Sequence, residues 1–285
     1  MHTMSTATTV EGDWQRDGIL VIRNLFDRQR TRELLDVAAE LLETFYSEGS
    51  SGSAAATSVF QVHDPSKFFP VGSAQLNTIL EAAADPKVVE LARSCLQAPG
   101  PAAVIEEPLF SHTSIFFNPR DDGAGAKRTA FSRYSSSGCC GEWHRDAQYI
   151  KPAEAEEKQL VLQPHNAPGG QMFQIQCALL PSQHFEYVRG SHNRWDTEAE
   201  YMIRKGHDSE RIGVELAGSD RVHRFSDAMP GAERDLLNPG DGIVFNPWVL
   251  HRGHYTEHAG PRRSFMFTVK YPQTPIREAS TRGEP

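Results

Sequence analysis

Two short stretches decide how the rest of the chain is organised: Glu142-Trp143-His144-Arg145-Asp146 and, much later, Leu250-His251-Arg252-Gly253. His144 and Asp146 are separated by one residue. In an extended segment, residues i and i+2 point to the same side, so both side chains can reach one ion while Arg145 points away. His251 must then come from a different strand that folds back beside the first.

These residue types predict a metal site. Two histidines and one carboxylate are the ligand set of non-haem Fe(II) oxygenases, in which three protein ligands leave the other side of an octahedral iron open for a co-substrate and O₂. A His-x-Asp pair alone is a weak indication, because it occurs by chance in many chains. The surrounding sequence therefore decides whether these residues are ligands.

Length and composition limit the class of protein. The chain has 285 residues, a formal net charge of −8 and a sequence pI near 5.8. It has no stripe of Lys and Arg to neutralise phosphates, and no apolar run long enough to span a membrane. Its cysteines, Cys95, Cys139, Cys140 and Cys177, lack Cys-x-x-Cys spacing. Because no apolar leader is visible either, we expect a soluble cytoplasmic protein without nucleic-acid or membrane partners.

The first third of the chain is predicted to be helical and the rest to consist mainly of strands. Apolar residues recur at helical spacing after Asp27, between Leu76 and Ala83, and after Asp85-Pro86. Short β-prone runs separated by Gly, Pro and Asn predict strands at 19–22, 109–117, 143–150, 171–180, 185–188, 242–245 and 264–271.

This order of elements predicts a mainly β fold with helices (α+β), in which a double-stranded β-helix, or jelly roll, is buttressed by N-terminal helices. We expect one domain over 1–285, with helical support in 1–103 and the jelly-roll core in 104–285. The polar stretch near 197–235 is predicted to be an insertion on the core.

Polar residues on two of these strands are candidates for ligand binding. Gln174 and Gln176 share one face of the strand predicted over 171–180, where they are either solvated or directed at a ligand inside a small barrel. Arg262, eleven residues after His251, opens the last strand. A buried Arg there could grip a carboxylate through two parallel hydrogen bonds, whereas on the surface Arg262 and Arg263 would be ordinary exposed arginines.

Taken together, these segments resemble the phytanoyl-CoA dioxygenase family of Fe(II)/2-oxoglutarate oxygenases over most of the chain. The resemblance is carried by Asp17-Gly18-Ile19-Leu20-Val21, Ser111-His112-Thr113-Ser114-Ile115, Trp143-His144-Arg145-Asp146, Val188-Arg189-Gly190-Ser191-His192, and Pro239-Gly240-Asp241 through His251 to Arg262. Arg189 departs from the family pattern, which commonly has Pro at that position.

The resemblance implies a role for each matching residue. His144, Asp146 and His251 would bind Fe(II), and Arg262 would bind the far carboxylate of 2-oxoglutarate, although a shift of one residue would give that role to Arg263. By looser analogy, the cofactor-binding residues include Ser114 and Gln176. The implied reaction consumes O₂ and releases succinate and CO₂. A carboxylate at the position of Asp146 favours hydroxylation or a related oxidation, since related halogenases have a small residue there.

The expected partner is a small-molecule substrate. The chain has no Lys/Arg patch for the phosphates of a CoA ester, which favours a smaller compound such as an amino acid derivative or a natural-product intermediate. Candidate substrate-binding residues are Phe116, Tyr134, Trp143, Gln148 and Arg252.

Two other functions remain open on the sequence. The same three ligands could hold zinc in a hydrolase or lyase that uses a metal-bound water, although no general base is obvious and Arg262 would have no role. Alternatively, the protein could be a catalytically silent jelly roll that binds a small molecule. Loss of one ligand residue would favour this binding function without catalysis, but all three ligand residues are present.

Overall fold

Two antiparallel sheets organise the protein in a computed structural model, which describes residues 7–47, 61–63, 69–95, 109–117, 143–151, 153–163, 172–205, 228–254 and 262–270. The strands are β1 (Thr9–Glu11), β2 (Ile19–Arg23), β3 (Gln61–His63), β4 (Leu109–Phe117), β5 (Met172–Ala178), β6 (Phe185–Val188), β7 (Ala232–Arg234), β8 (Gly242–Phe245), β9 (His251–Gly253) and β10 (Arg263–Lys270). Within these described residues, one sheet has the order β1-β2-β8-β5-β10-β4-β3 and the other β7-β6-β9. Strands far apart in sequence are therefore neighbours, as in a jelly roll.

One face of the larger sheet packs against the N-terminal helices. These are α2 (Arg28–Ser47), α3 (Ala74–Ala83) and α4 (Pro86–Cys95), and they follow the short helix α1 (Trp14–Asp17). Their apolar side chains form one buried cluster with alternate residues of the central strands, including Leu34, Leu41, Ile79, Leu91, Phe173, Ile175, Phe265 and Phe267. The predicted jelly roll buttressed by helices is confirmed.

The other face of the larger sheet is turned towards the smaller sheet. Ile19 and Phe245 of the larger sheet are buried in one cluster with Phe185 and Tyr187 of β6. Since side chains alternate along a strand, the residues of β5 and β10 between those in the helix-facing cluster point to this inner face. Gln174 and Gln176 therefore belong to the interior of the jelly roll.

The helices begin where the sequence supplies a cap. Asp27 Oδ1 accepts from the Arg30 backbone N–H (2.8 Å) at the start of α2, and Ser73 Oγ accepts from that of Leu76 (3.2 Å) at the start of α3. Helix α4 begins at Pro86, where the missing N–H is not needed. No helix in the described part of the chain is both long and apolar enough to cross a membrane.

Shorter helical segments lie beside the smaller sheet. They are α5 (Ala147–Ile150), α6 (Glu154–Leu162), a 3₁₀ turn (Ser191–Asn193) and α7 (Glu198–Arg204). Thr197 and Glu200 form a reciprocal capping box at the start of α7. Ile203 then packs with Val188 and Leu250, which fixes α7 against the strands near the candidate site.

The strand predicted over 143–150 is wrong for most of its length. His144 forms an isolated antiparallel bridge with His251, but the chain turns at Asp146 and continues as α5. The turn is fixed by a tertiary hydrogen bond from the Asp146 backbone N–H to Pro247 O (2.9 Å), which local sequence could not reveal. The proposed insertion at 197–235 includes α7 and β7, while 206–227 lie outside the described residues. The division of the domain into support and core stays a prediction.

Candidate metal centre

The backbone brings the two histidine-bearing segments side by side. The backbone N–H of His144 donates to His251 O, and that of His251 donates to His144 O, each at 3.0 Å. This pairing places the two imidazole rings next to one another, with centroids 4.2 Å apart. His251 therefore does arrive on a second strand folded back beside the first, as the spacing predicted.

His251 is held as a neutral imidazole with one nitrogen available. Its Nδ1 lies 2.9 Å from Val249 O, an acceptor, so Nδ1 carries the proton and Nε2 presents its lone pair. The ring is packed against Phe185 and Phe245. Burial lowers the pKa of His251 to about 4, and the Val249 carbonyl only partly opposes this shift. A neutral imidazole with a fixed tautomer is the form that binds metals.

Asp146 completes the cluster. Its Oδ1 lies 3.5 Å from His144 Nε2 and 3.8 Å from His251 Nε2. One ligand atom from each of these three residues lies within 4.8 Å of the other two. Burial raises the pKa of Asp146, while His144 and the hydrogen bond from Gln174 lower it. Two imidazole nitrogens and a carboxylate oxygen form a donor set that suits Fe(II), so the residues fit the metal that the sequence predicts.

The sequence predicts that Gln174 faces either solvent or a ligand, but not that it contacts a metal-binding residue. Its Nε2 donates to Asp146 Oδ2 (2.7 Å), the carboxylate oxygen that faces away from the two imidazoles. The alternation of β5, which puts Gln174 on the same face as Gln176, was the available signal.

Arg262 and Gln176 both lie on the inner face of the larger sheet. Arg262, immediately before β10, is 2% exposed, and its Nε donates to Oγ of Ser264 (3.4 Å), which lies on the inner face of β10. Gln176 is buried and pairs with Met266 of β10. Arg263 is only half-buried, and it donates to the Arg262 carbonyl (2.7 Å). Of the two arginines, Arg262 thus has the location required of a buried carboxylate clamp.

Trp143 and Arg252 lie on the far side of the two histidine segments. The Arg252 guanidinium sits over the Trp143 ring, 5.0 Å from its centroid, and Arg252 Nε donates to Glu186 Oε2 (2.5 Å). Because neighbouring residues of an extended segment point to opposite sides, a position next to a ligand histidine faces away from the metal. Packing and ion pairing account for both side chains, and this orientation gives no support to their predicted contact with substrate.

The other predicted substrate residues are placed as follows. Gln148 is half-buried in α5 and its Oε1 accepts from Arg204 Nη1 (3.2 Å). The backbones of Phe116 and Ser114 pair with Ser264 and Met266 of β10, but their side chains lie outside the described residues. Tyr134 also lies outside the described residues.

Tyr149 is a further residue beside the cluster that sequence reasoning missed. Its ring centroid lies 5.7 Å from that of His144, yet 48% of the residue is exposed. Only the turn at Asp146 brings Tyr149 to this position, so a strand interpretation could not have found it.

A jelly roll that presents two imidazoles and one carboxylate at a single point defines a class of protein, the non-haem iron oxygenases. The comparison with known families agrees. The family model for phytanoyl-CoA dioxygenase (PhyH) matches residues 14–264, and the chain belongs to this family. The protein is accordingly an oxidoreductase whose cofactors are iron and 2-oxoglutarate.

Several solved structures have a similar fold. AviO1 from Streptomyces viridochromogenes Tue57 is 14% identical, with a TM-score of 0.53 over 92% of this chain and 93% of that one. SnoN, a non-heme alpha-ketoglutarate-dependent epimerase from nogalamycin biosynthesis, is 18% identical, with a TM-score of 0.51 over 95% and 89%. EctD from S. alaskensis, solved with 2-oxoglutarate and 5-hydroxyectoine, is 16% identical, with a TM-score of 0.50 over 92% and 74%. At these identities the likeness is one of fold. A search of curated proteins gave no match.

Proposed function

We propose that the protein is an Fe(II)- and 2-oxoglutarate-dependent dioxygenase that hydroxylates a small molecule and releases succinate and CO₂. The observation that carries the proposal is the convergence of the three ligand atoms of His144, Asp146 and His251 within 4.8 Å of one another. Buried Arg262 on the inner face of the larger sheet adds a cation for an anionic co-substrate. The zinc alternative leaves this arginine without a role, and the binding-only alternative leaves the complete set of three ligands without one.

The iron would be held by His144 Nε2, His251 Nε2 and Asp146 Oδ1. When bound, iron with 2-oxoglutarate supplies the oxidative decarboxylation in which one atom of O₂ enters succinate and the other enters the substrate. The chain's own residues bind and orient the reactants. Phe185 and Phe245 keep water away from one side of His251, and Val249 O fixes its tautomer.

The co-substrate would lie between the metal and β10. Arg262 would donate two hydrogen bonds to its distal carboxylate, because a planar guanidinium matches the geometry of a carboxylate. Gln176, buried on the neighbouring strand β5, and Ser114, which is paired with Met266 on the other side of β10, would contact the same molecule. The clamp and the ligands thus come from different strands of one jelly roll.

The substrate would be a small molecule, such as an amino acid derivative or a natural-product intermediate. Solved structures of this fold include an enzyme of nogalamycin biosynthesis and one bound to 5-hydroxyectoine, both of which handle small molecules. Gln148, half-buried two residues after Asp146, stays a proposed substrate contact together with Phe116, Tyr134, Trp143 and Arg252. The protein would act in the cytoplasm, in keeping with the free, buried thiols of Cys95 and Cys177.

The proposal is tested by anaerobic titration with Fe(II) and 2-oxoglutarate, followed by the visible charge-transfer band of the ternary complex. The wild-type protein is expected to give the band and His144→Ala to give none. Arg262→Ala should need roughly 10- to 100-fold more 2-oxoglutarate, since hydrogen bonds to a charged group are worth about 1.5–3 kcal/mol. Arg263→Ala, the matched control, should titrate like wild type. A metal-loaded wild-type protein without the band would refute the oxygenase function.

A further inference from the structure

The two oxygens of the Asp146 carboxylate lie in different surroundings. Oδ1 faces both imidazoles, at 3.5 Å from His144 Nε2 and 3.8 Å from His251 Nε2. Oδ2 instead accepts a hydrogen bond from Gln174 Nε2 at 2.7 Å. Oδ1 is therefore the carboxylate oxygen nearest to both imidazoles, and Oδ2 already has a partner in the protein.

Gln174 is well suited to hold that orientation. A carboxylate only accepts hydrogen bonds, so the amide must present its NH₂ group to Asp146. The residue lies in the middle of β5, paired with Thr268 of β10 on one side and with Phe245 of β8 on the other. The backbone that carries this donor is therefore fixed on both sides within the sheet.

We propose that Gln174 is a positioning residue that restricts Asp146 to one-oxygen coordination and so keeps one position on the iron open for O₂. This inference rests on the proposed function. Carboxylates bind metals through one or both oxygens. Octahedral iron offers six positions. The two histidines and one oxygen of Asp146 take three, and a chelating 2-oxoglutarate takes two. A second oxygen from Asp146 would fill the last.

The test replaces Gln174 with methionine, which has a similar length but cannot donate a hydrogen bond. The matched control is Met172→Leu, because Met172 lies on the same face of β5 but is packed against Trp248 and its neighbours in another cluster. Each protein is loaded anaerobically with saturating Fe(II) and 2-oxoglutarate. Nitric oxide, a surrogate for O₂, is then titrated and its complex is followed by EPR, so the readout does not depend on turnover or on knowing the substrate.

We expect Gln174→Met to form the charge-transfer band but to bind nitric oxide roughly 10-fold or more weakly than wild type, in the range typical of residues that support metal ligands. Met172→Leu should bind it normally. Should Gln174→Met fail to fold, Gln174→Asn keeps the amide but is too short to reach Asp146, and nitric oxide binding must be weakened there as well.

The outcomes separate the two proposals. If the wild-type protein forms no charge-transfer band, the oxygenase function fails. If the wild-type protein behaves as expected and Gln174→Met binds nitric oxide within about twofold of it, the role of Gln174 fails by itself, even where the affinity for iron is reduced.

Discussion

A buried carboxylate behind the metal site, Asp196, joins two buried arginines and offers a direct test of how the site is held in place. The side chains of Arg145, Asp196 and Arg204 are all 0% exposed. Asp196 Oδ1 accepts from Arg145 Nη2 (2.7 Å) and Nε (3.0 Å), while Oδ2 accepts from Arg204 Nε (2.8 Å) and Nη2 (2.5 Å). Replacing Asp196 with asparagine keeps its shape, but removes the charge and turns one acceptor into a donor that faces a guanidinium.

The expected loss of stability follows from what each arginine retains. Arg204 keeps Glu157, whose Oε1 accepts at 2.6 Å. Among the described residues, the remaining hydrogen bonds of the Arg145 side chain go to the neutral carbonyls of Ser191 and Trp248, while Glu200 is a more distant negative charge. Burial already lowers the pKa of Arg145, and Asp196 opposes that shift. Leaving a buried charge without its partner destabilises a protein by about 3–5 kcal/mol. For a chain of this size the melting temperature would fall by roughly 6–20 °C.

Urea unfolding of the metal-free protein, followed by circular dichroism, measures this loss. Glu233→Gln is the matched control, since Glu233 pairs with Arg189 (3.1 Å) but its side chain is 49% exposed, and an exposed pair is worth less than about 1 kcal/mol. The double variant Arg145→Met/Asp196→Asn should be destabilised by less than the sum of the single changes, because the uncompensated cation is gone. If the unfolding free energy of Asp196→Asn lies within about 1 kcal/mol of the wild-type value, the ion pairs of Asp196 with Arg145 and Arg204 do not stabilise the protein to the expected extent.

Three further predictions concern the backbone, pH and metal. Gly18→Ala should destabilise the protein by several kcal/mol, since Gly18 has φ +68 and a Cβ there would lie 2.4 Å from His192 Nδ1. Gly72→Ala is the control: Gly72 has φ +84 but open space around it, so the free energy of unfolding should fall by only about 1–2 kcal/mol. The pKa of Asp17 is lowered from 3.8 to about 2, chiefly by the hydrogen bond from its neighbouring arginine. Its stabilisation should therefore be complete above about pH 4 and be lost as pH falls to about 2, and Asp17→Asn should flatten this part of the curve. Fe(II) at 100 times its dissociation constant should stabilise the wild-type protein by about 2.7 kcal/mol, but not His144→Ala.

Each of these predictions has its own contrary result. Equal losses for Gly18→Ala and Gly72→Ala would mean that the tight contact with His192 relaxes freely. If the unfolding free energy of Asp17→Asn fell below pH 4 as steeply as that of wild type, the Asp17 carboxylate would not be stabilised by its neighbours. A rise in melting temperature with Fe(II) that persists in His144→Ala would place the metal elsewhere. Urea or thermal unfolding curves, measured over a pH series for Asp17, supply all three answers.

The sequence predicts the metal cluster because a local spacing is accompanied by motifs of a known family along the rest of the chain. The His144-x-Asp146 spacing and the short strand that carries His251 specify which side chains can meet, given one antiparallel pairing. The same alternation that turns Arg145 away from the metal also turns away Trp143 and Arg252. Their contact with substrate stays a prediction, which this orientation does not support.

The contacts that support the cluster were beyond reach of the sequence, since they join residues that only the tertiary fold brings together. Gln174 meets Asp146 across the jelly roll, and Arg145 meets Asp196 from a segment 51 residues away. The turn at Asp146 depends on the carbonyl of Pro247, so the helix that follows it could not be read from local periodicity. The alternation of side chains along a strand predicts which face of the sheet a residue lies on, but not which residue it contacts there.

Hydrogen bonds within the protein tie together the segments that carry the metal ligands. Arg145, which lies between two of the ligands, donates to Trp248 O just before the strand of His251 and to Ser191 O. Ser191 Oγ in turn accepts from the Leu250 N–H (2.8 Å) and donates to Val188 O (2.6 Å). The segments that carry the ligands are thus tied to each other by a residue that never touches the metal. Loss of this network should reduce stability and metal affinity together, whereas loss of the single Gln174 bond should chiefly alter coordination and reduce stability by no more than about 1.5–3 kcal/mol.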